Sequence, residues 1–250
     1  MIQKLLASAV IAGGAAGLLA AVLHFAFVQD LILLGEEYES GALVHFMADA
    51  STHDHPEQGS MAPDHSDASE AEDGHSHDDG DAASPLVRNG LTVVFSVLIY
   101  VAYALILVAG YGLAKAFDKR ITAREGVLWG IAGFAAFQLF PAMGLAPELP
   151  GTIAADLGAR QVWWWGTVVA SIAAIGLLAY GSNPLAVLAS AALLAAPHVI
   201  GAPTLGEYAG TAPPELGAAF SARVLGVGLV VWAALGWISG ALWAKDSEEL

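Results

Sequence analysis

The sequence predicts an all-α protein, a polytopic membrane bundle of six transmembrane helices with a disordered His/Asp-rich outer loop. Three observations carry this expectation. First, 56% of the 250 residues are hydrophobic and only 13% are charged, with a mean hydropathy of +0.62. Soluble domains are roughly 25% charged. Second, six apolar runs are long enough, or nearly so, to cross about 30 Å of hydrocarbon as helix. Third, charge is segregated. Of 24 acidic residues, 14 lie between Glu36 and Asp81, where no Lys or Arg occurs. The net charge of -15 is therefore local, and the composition argues against a nucleic-acid partner. The lipid bilayer is the partner that the apolar runs require.

The first span is expected within residues 1–34. Its apolar run, Leu5 to Val28, is longer than the roughly 7–15 residues of a signal-peptide core, so a retained helix is expected. Residues 35–88 then form an outer acidic loop. The part from 50 to 84 has few large apolar residues and many Asp, Ser, Gly and His, too little apolar surface to offset ordering. A five-helix membrane region follows over 89–250, with spans at about 89–114, 123–143, 162–180, 185–200 and 219–244. Asn183-Pro184 opens the fifth span with a side-chain cap and a proline at the first helical position. Pro197 is expected to kink or end that helix, and Pro203 holds Ala202 out of helix. Gly236 and Gly240 stand four apart, a spacing that lets helices approach closely in lipid.

Orientation follows from the cations. Lys4, Lys115, Lys119, Arg120, Arg124 and Lys245 fall on one side of a six-span chain, and Arg88, Arg160 and Arg223 on the other. Positive charge favours the cytoplasm, so both termini are expected there. The Trp163-Trp164-Trp165 triplet then sits at the outer headgroup level as an aromatic belt.

Candidate ligands collect on the outer side. The loop holds His53, His55, His65, His75 and His77, several alternating with carboxylates. Imidazole suits zinc, copper, nickel and cobalt, and carboxylate adds attraction for a divalent cation. This reads as a metal-gathering loop, without the fixed spacing of a structural zinc site. The same topology places His24, Glu36, Glu37, Glu148 and His198 at the outer face. His198 stands beside the helix-breaking Pro197 and Gly201, where irregular backbone in a membrane lines a cavity or is buried in protein. The interior of the spans is otherwise uncharged: no Asp, Glu, Lys, Arg or His occurs in 89–114, 126–147, 162–180 or 224–244. An intramembrane proton relay is therefore absent from these stretches. A path through them uses neutral groups such as Gln138, Met143, Ser171 and Ser190, or backbone carbonyls. No phosphate-binding Gly-Lys-Ser/Thr pattern or activated nucleophile accompanies the ligands, so the chain is expected not to be an enzyme. There is no cysteine, which excludes thiolate ligands and disulfides.

Pro-Glu-Leu-Pro-Gly at 147–151, Arg160-Gln-Val-Trp-Trp164 and Pro197-His-Val-Ile-Gly-Ala-Pro203 together resemble the proposed cobalt transporter subunit family CbtA. The likeness extends over most of the chain. It implies a multi-pass protein of the bacterial inner (cytoplasmic) membrane linked to cobalt supply for cobalamin biosynthesis. It also implies a small single-helix, His-rich partner subunit, CbtB. Glu148, Arg160, Trp163, Trp164, Pro197, His198, Gly201 and Pro203 are the positions carried over from its motifs. The His-x4-Asp-His helix pattern of a known nickel and cobalt permease class is absent, since Asp30 follows His24 at another spacing.

The functional expectation is transmembrane uptake of a divalent transition metal, cobalt first, with nickel or zinc as alternatives. The outer face would capture the ion with histidine nitrogen and carboxylate oxygen. The alternative is a non-transporting metal-binding sensor or assembly subunit of a membrane complex.

Overall fold

A computed structural model describes residues 2–45, 84–206 and 210–248. Among the described residues the chain is helical, with a single isolated bridge, Thr152 to Gly210, in place of any strand. The helices are α1 (Ile2–Phe27), α2 (Gln29–Glu39), α3 (Pro85–Ala116), α4 (Ala123–Phe134), α5 (Phe140–Ala142), α6 (Leu157–Tyr180), α7 (Pro184–Ile200) and α8 (Pro214–Glu248). A π-helical turn, Ala135–Leu139, joins α4 to α5. Among the described residues four helices are long and apolar enough to cross a membrane: Leu5–Phe27, Pro85–Ala116, Leu157–Tyr180 and Pro214–Lys245.

Local sequence sets most helix starts. The Ser84 hydroxyl accepts from Val87 N–H ahead of Pro85, the Asp156 carboxylate accepts from Ala159 N–H at 2.8 Å, and the Asn183 amide accepts from Ala186 N–H at 2.9 Å. These caps satisfy amides that have no partner within the helix. Thr122 and Glu125 form a reciprocal capping box at α4. The caps start α3 at Pro85 and α6 at Leu157, each one turn or more before the apolar run expected there.

The two spans not found as single long helices have identifiable reasons. The run 123–143 contains Pro141, which has no amide to give and whose ring crowds the carbonyl four residues back. The chain widens into the π-turn just before it, with Phe140 N–H bonding Ala135 O. The expected third span is thus a broken helix ending at Ala142. The expected fifth span is one 17-residue helix, α7. Pro197 does not end it. The helix runs three residues further, because Pro197 lies in the last turn, and Gly201 at φ +89° closes it with its amide on Pro197 O. The expected continuation of the first helix is interrupted only at Val28, and α2 carries Glu36 and Glu37 on helix into the stretch expected as loop.

The tightest contacts are α1 with α3, α4 with α8, α1 with α8, and α6 with α7. Glycines make the first two. A Cβ on Gly13 or Gly17 would strike the backbone of Val101 or Val97 in α3. Gly126 and Gly130 face Gly236 and Gly240 reciprocally, so that each Cβ position is taken by backbone of the other helix. With no apolar driving force between helices in lipid, close van der Waals contact of this kind holds a bundle. The pairs run antiparallel, Gly13 beside Val101 and Gly126 beside Gly240. Around them a core of rings closes over Trp232, Tyr111 and Leu235, with Phe137 stacked on Trp232 at 5.9 Å. Tyr111 Oη and Ser239 Oγ lie 3.0 Å apart within it.

Candidate metal entry face

The antiparallel packing gathers His24 late in α1, Arg88 early in α3, the coil after α5 and Arg160 early in α6 at one end of the bundle. Lys115, Lys119, Arg120 and Arg124 occupy the other end, where Lys119 Nζ stands 6.0 Å from the Tyr180 ring centroid. Two clefts open at the first end.

The smaller, about 180 Å³, lies between α1, α2 and α3 and is lined by His24, Gln29, Glu36, Arg88, Asn89 and Thr92 among others. The Val28 break turns α2 so that Glu36 meets the start of α3. Arg88 Nη1 is 3.6 Å from Glu36 Oε2, and Gln29 Nε2 donates to Asn89 Oδ1 at 3.4 Å.

The larger, about 540 Å³, is lined by His45, Glu148, Thr152, Arg160, Pro203 and Thr204 among others. Its floor is the coil Pro147–Gly151, which is held from several sides. The Ser221 hydroxyl donates to Pro147 O at 2.6 Å, and Leu149 is buried against Gly35. Gly151 has φ +75°, and its Cα hydrogens face Thr211 and Glu39, leaving no room for a side chain. The Glu148 side chain projects from this floor and accepts from Arg160 Nη2 at 2.7 Å.

His198 lines neither cleft. It is half-buried in the last turn of α7 with its ring edge-on to Trp163, centroids 5.8 Å apart. Trp163 Nε1 donates to Pro197 O at 3.0 Å, which fixes the indole and with it the imidazole's neighbour. His198 Nε2 is buried and has no hydrogen-bond partner. Gly144, part of the larger cleft's wall, packs directly on the Trp163 ring and Ala202. His198 therefore stands behind that wall, one side chain removed from it. Glu37 is exposed on α2 and lines neither cleft.

The expected ligands thus share one end of the molecule but divide among three places: His24 with Glu36, Glu148 with Arg160, and His198 with Trp163. Among the described residues no three His, Asp or Glu side chains form a group able to hold a metal ion. His53, His55, His65, His75 and His77 lie outside the described residues. Of the tryptophan triplet, Trp165 is the one exposed, at 57%; Trp164 packs on Phe137, and Trp163 binds α7. Sequence reasoning missed His45 as a cleft residue and treated Arg88 and Arg160 as orientation marks or motif positions, not as partners of Glu36 and Glu148.

A bundle whose described elements are all helical, with four membrane-length helices and clefts carrying a few charged side chains at one end, is a membrane protein. From residue 2 to residue 244 the chain matches the family model described as probable cobalt transporter subunit (CbtA), and it belongs to that family. No curated protein and no solved structure matches it.

Proposed function

We propose that the protein imports a divalent transition metal ion, cobalt first, across the bacterial inner membrane for cobalamin biosynthesis. It would do so as one subunit beside a small His-rich, single-helix subunit of the CbtB kind. In this reading the chain crosses six times with both termini cytoplasmic. The broken helix from 123 to 142 would be about 30 Å long, enough to span, and α7 about 26 Å at 1.5 Å per residue, at the short end of the range for a spanning helix. The clefts face outward, opposite the cluster of Lys and Arg.

The observation that carries the proposal is where the histidine-rich segment is attached. It leaves the bundle at His45, in the wall of the larger cleft, and returns at Ser84, one turn before Arg88 of the smaller cleft. Ions gathered by His53, His55, His65, His75 and His77 are delivered to both clefts. There Glu148, Glu36 and Glu37 supply charge-compensating oxygen, and His24 and His198 supply neutral nitrogen. Imidazole nitrogen with carboxylate oxygen suits cobalt, nickel or zinc alike. Arg160, Trp163, Trp164, Pro197, Gly201 and Pro203 shape the wall behind which His198 stands.

Uptake of radioactive cobalt by cells expressing this chain, with and without the single-helix partner and with nickel and zinc as competitors, tests the proposal. Accumulation that His198→Ala abolishes supports it. No accumulation under any condition, with the protein shown to be in the membrane, refutes it. The second reading, a non-transporting sensor or assembly subunit, is favoured by the filled interior, where Trp232 and Tyr111 close the core. Cobalt flux into liposomes containing this chain, alone and with its partner, separates the two.

A further inference from the structure

Glu148 is the carboxylate that the larger cleft presents, and a cation of the chain itself already sits on it. Arg160 Nη2 donates to Glu148 Oε2 at 2.7 Å. The smaller cleft repeats the arrangement more loosely, with Arg88 3.6 Å from Glu36. Each cleft therefore holds one histidine, one glutamate and one arginine on that glutamate. Guanidinium does not lose its proton in proteins, so pH above neutrality does not free the carboxylate. A competing cation does. The pair is accessible for this exchange, with 23% of the Arg160 side chain and 35% of the Glu148 side chain in solvent. Ion pairs exposed to that degree hold their partners by no more than about fivefold.

The two partners belong to parts of the molecule held very differently. Glu148 stands on the coil pinned by Ser221, Leu149 and Gly151. Arg160 stands in the first turn of α6, whose principal partner is α7. Among the described residues the α6–α7 hairpin meets the other helices mainly through the π-turn, α5 and a small contact with α4, with Gly144 packed on Trp163 and Lys119 near the Tyr180 ring as contacts outside the helices. Arg160 is thus, beside the Gly144–Trp163 packing, one of the ties between this end of a lightly attached hairpin and a fixed floor.

We propose that Arg160 is the resident counter-ion of Glu148, which an incoming divalent cation replaces, so that ion capture in the larger cleft and release of the outer end of α6 are one event. The proposal rests on the outer-face capture reading above and adds the competitor and its consequence. A divalent ion at Glu148 feels the guanidinium as a like charge a few ångströms away. Removing that charge and its competition together raises affinity by about tenfold at surface dielectric, less at high salt.

The test is equilibrium dialysis of Co²⁺ against the full-length chain in lipid nanodiscs. His53, His55, His65, His75 and His77 are replaced by Asn throughout, so that their binding does not mask the cleft. Arg160→Gln is expected to bind cobalt about tenfold more tightly than its Arg160 parent, and Glu148→Gln in the same chain to erase the gain. Equal or weaker binding by Arg160→Gln overturns the proposal while leaving outer-face capture standing. If that variant does not fold, Arg160→Met removes the same charge while keeping an apolar stem for packing; a gain of about tenfold is expected, and no gain overturns the proposal. Absence of cobalt binding by the parent itself counts against outer-face capture, and the proposal falls with it.

Discussion

Replacing Gly236 by Leu separates α4 from α8, and the cost can be worked from the contacts. A Cβ at 236 falls on the carbonyl oxygen of Gly126 and lies 2.8 Å from Gly130 Cα and 2.9 Å from Gly130 N. All three are backbone atoms of the opposing helix, so no rotamer change relieves them. Ordinary carbon contacts begin near 3.5 Å, so relieving Gly130 Cα alone parts the helices by about 0.7 Å, and the closer Gly126 oxygen and the leucine's remaining atoms demand more. Separation also lifts Gly130 from Trp232 O and Gly126 from Gly240, because the four glycines form one seam. Overpacking of this kind costs about 1–3 kcal/mol, and loss of the neighbouring contacts places this case at the upper end. The control is Gly14→Leu, where no atom lies within 4 Å of the Cβ position. Folded fraction is measured during SDS titration of the protein in mixed micelles. Gly236→Leu is expected to lose at least about 2 kcal/mol, some 30-fold in the folding equilibrium, and Gly14→Leu less than about 0.5 kcal/mol. Equal losses for the two variants would refute the seam as the source of α4–α8 cohesion.

Three further outcomes are expected. His198→Ala lowers cobalt uptake while changing stability by less than about 1.5 kcal/mol, because His198 Nε2 has no partner and only the Trp163 ring contact is lost; uptake assays and SDS titration of the same preparation check it. Ser239→Ala leaves Tyr111 Oη with only the 3.5 Å approach to Gly236 O and costs about 1 kcal/mol, read by the same titration. Replacing His53, His55, His65, His75 and His77 together by Asn lowers uptake at limiting cobalt and leaves it unchanged at saturating cobalt, and an unchanged rate at both makes the segment a linker only.

The helical class of the fold is legible in the sequence because hydrocarbon leaves the backbone so few choices. Helix ends were less so, and the errors have one cause. Apolar runs mark where lipid begins, whereas helices begin where a cap satisfies their first amides, at Ser84 and Asp156. Proline contributes in two ways. Pro141, passed over in the sequence, follows a π-turn that no hydrophobic pattern signals, and Pro197 does not end its helix because its position in the last turn leaves little helix to lose. Half of the glycine seam was visible as Gly236 and Gly240. Its other half, Gly126 and Gly130, has the same spacing but looked like an ordinary apolar run until the partner helix was known.

The candidate site was legible only as one end of the bundle. Orientation rules rank charges by where they sit, and so they treated Arg88 and Arg160 as markers of the outer boundary. They say nothing about which carboxylate each arginine meets, because Glu36–Arg88 and Glu148–Arg160 depend on how α2 and the Pro147–Gly151 coil are held. That dependence changes the chemistry expected of the clefts. Free carboxylates at an outer face attract any cation, and sodium at high concentration would compete well. A carboxylate paired with guanidinium gives a monovalent ion less to gain, by up to about fivefold, since one unit of charge merely replaces another. A divalent ion brings twice the charge and can recruit a histidine nitrogen that an alkali ion does not use. On the proposed capture reading, the arginines would set a threshold that favours a doubly charged, nitrogen-accepting ion over the monovalent background. A histidine-rich segment joined to the bundle beside both clefts would then serve to raise the local concentration of such ions, which the exchange with arginine requires.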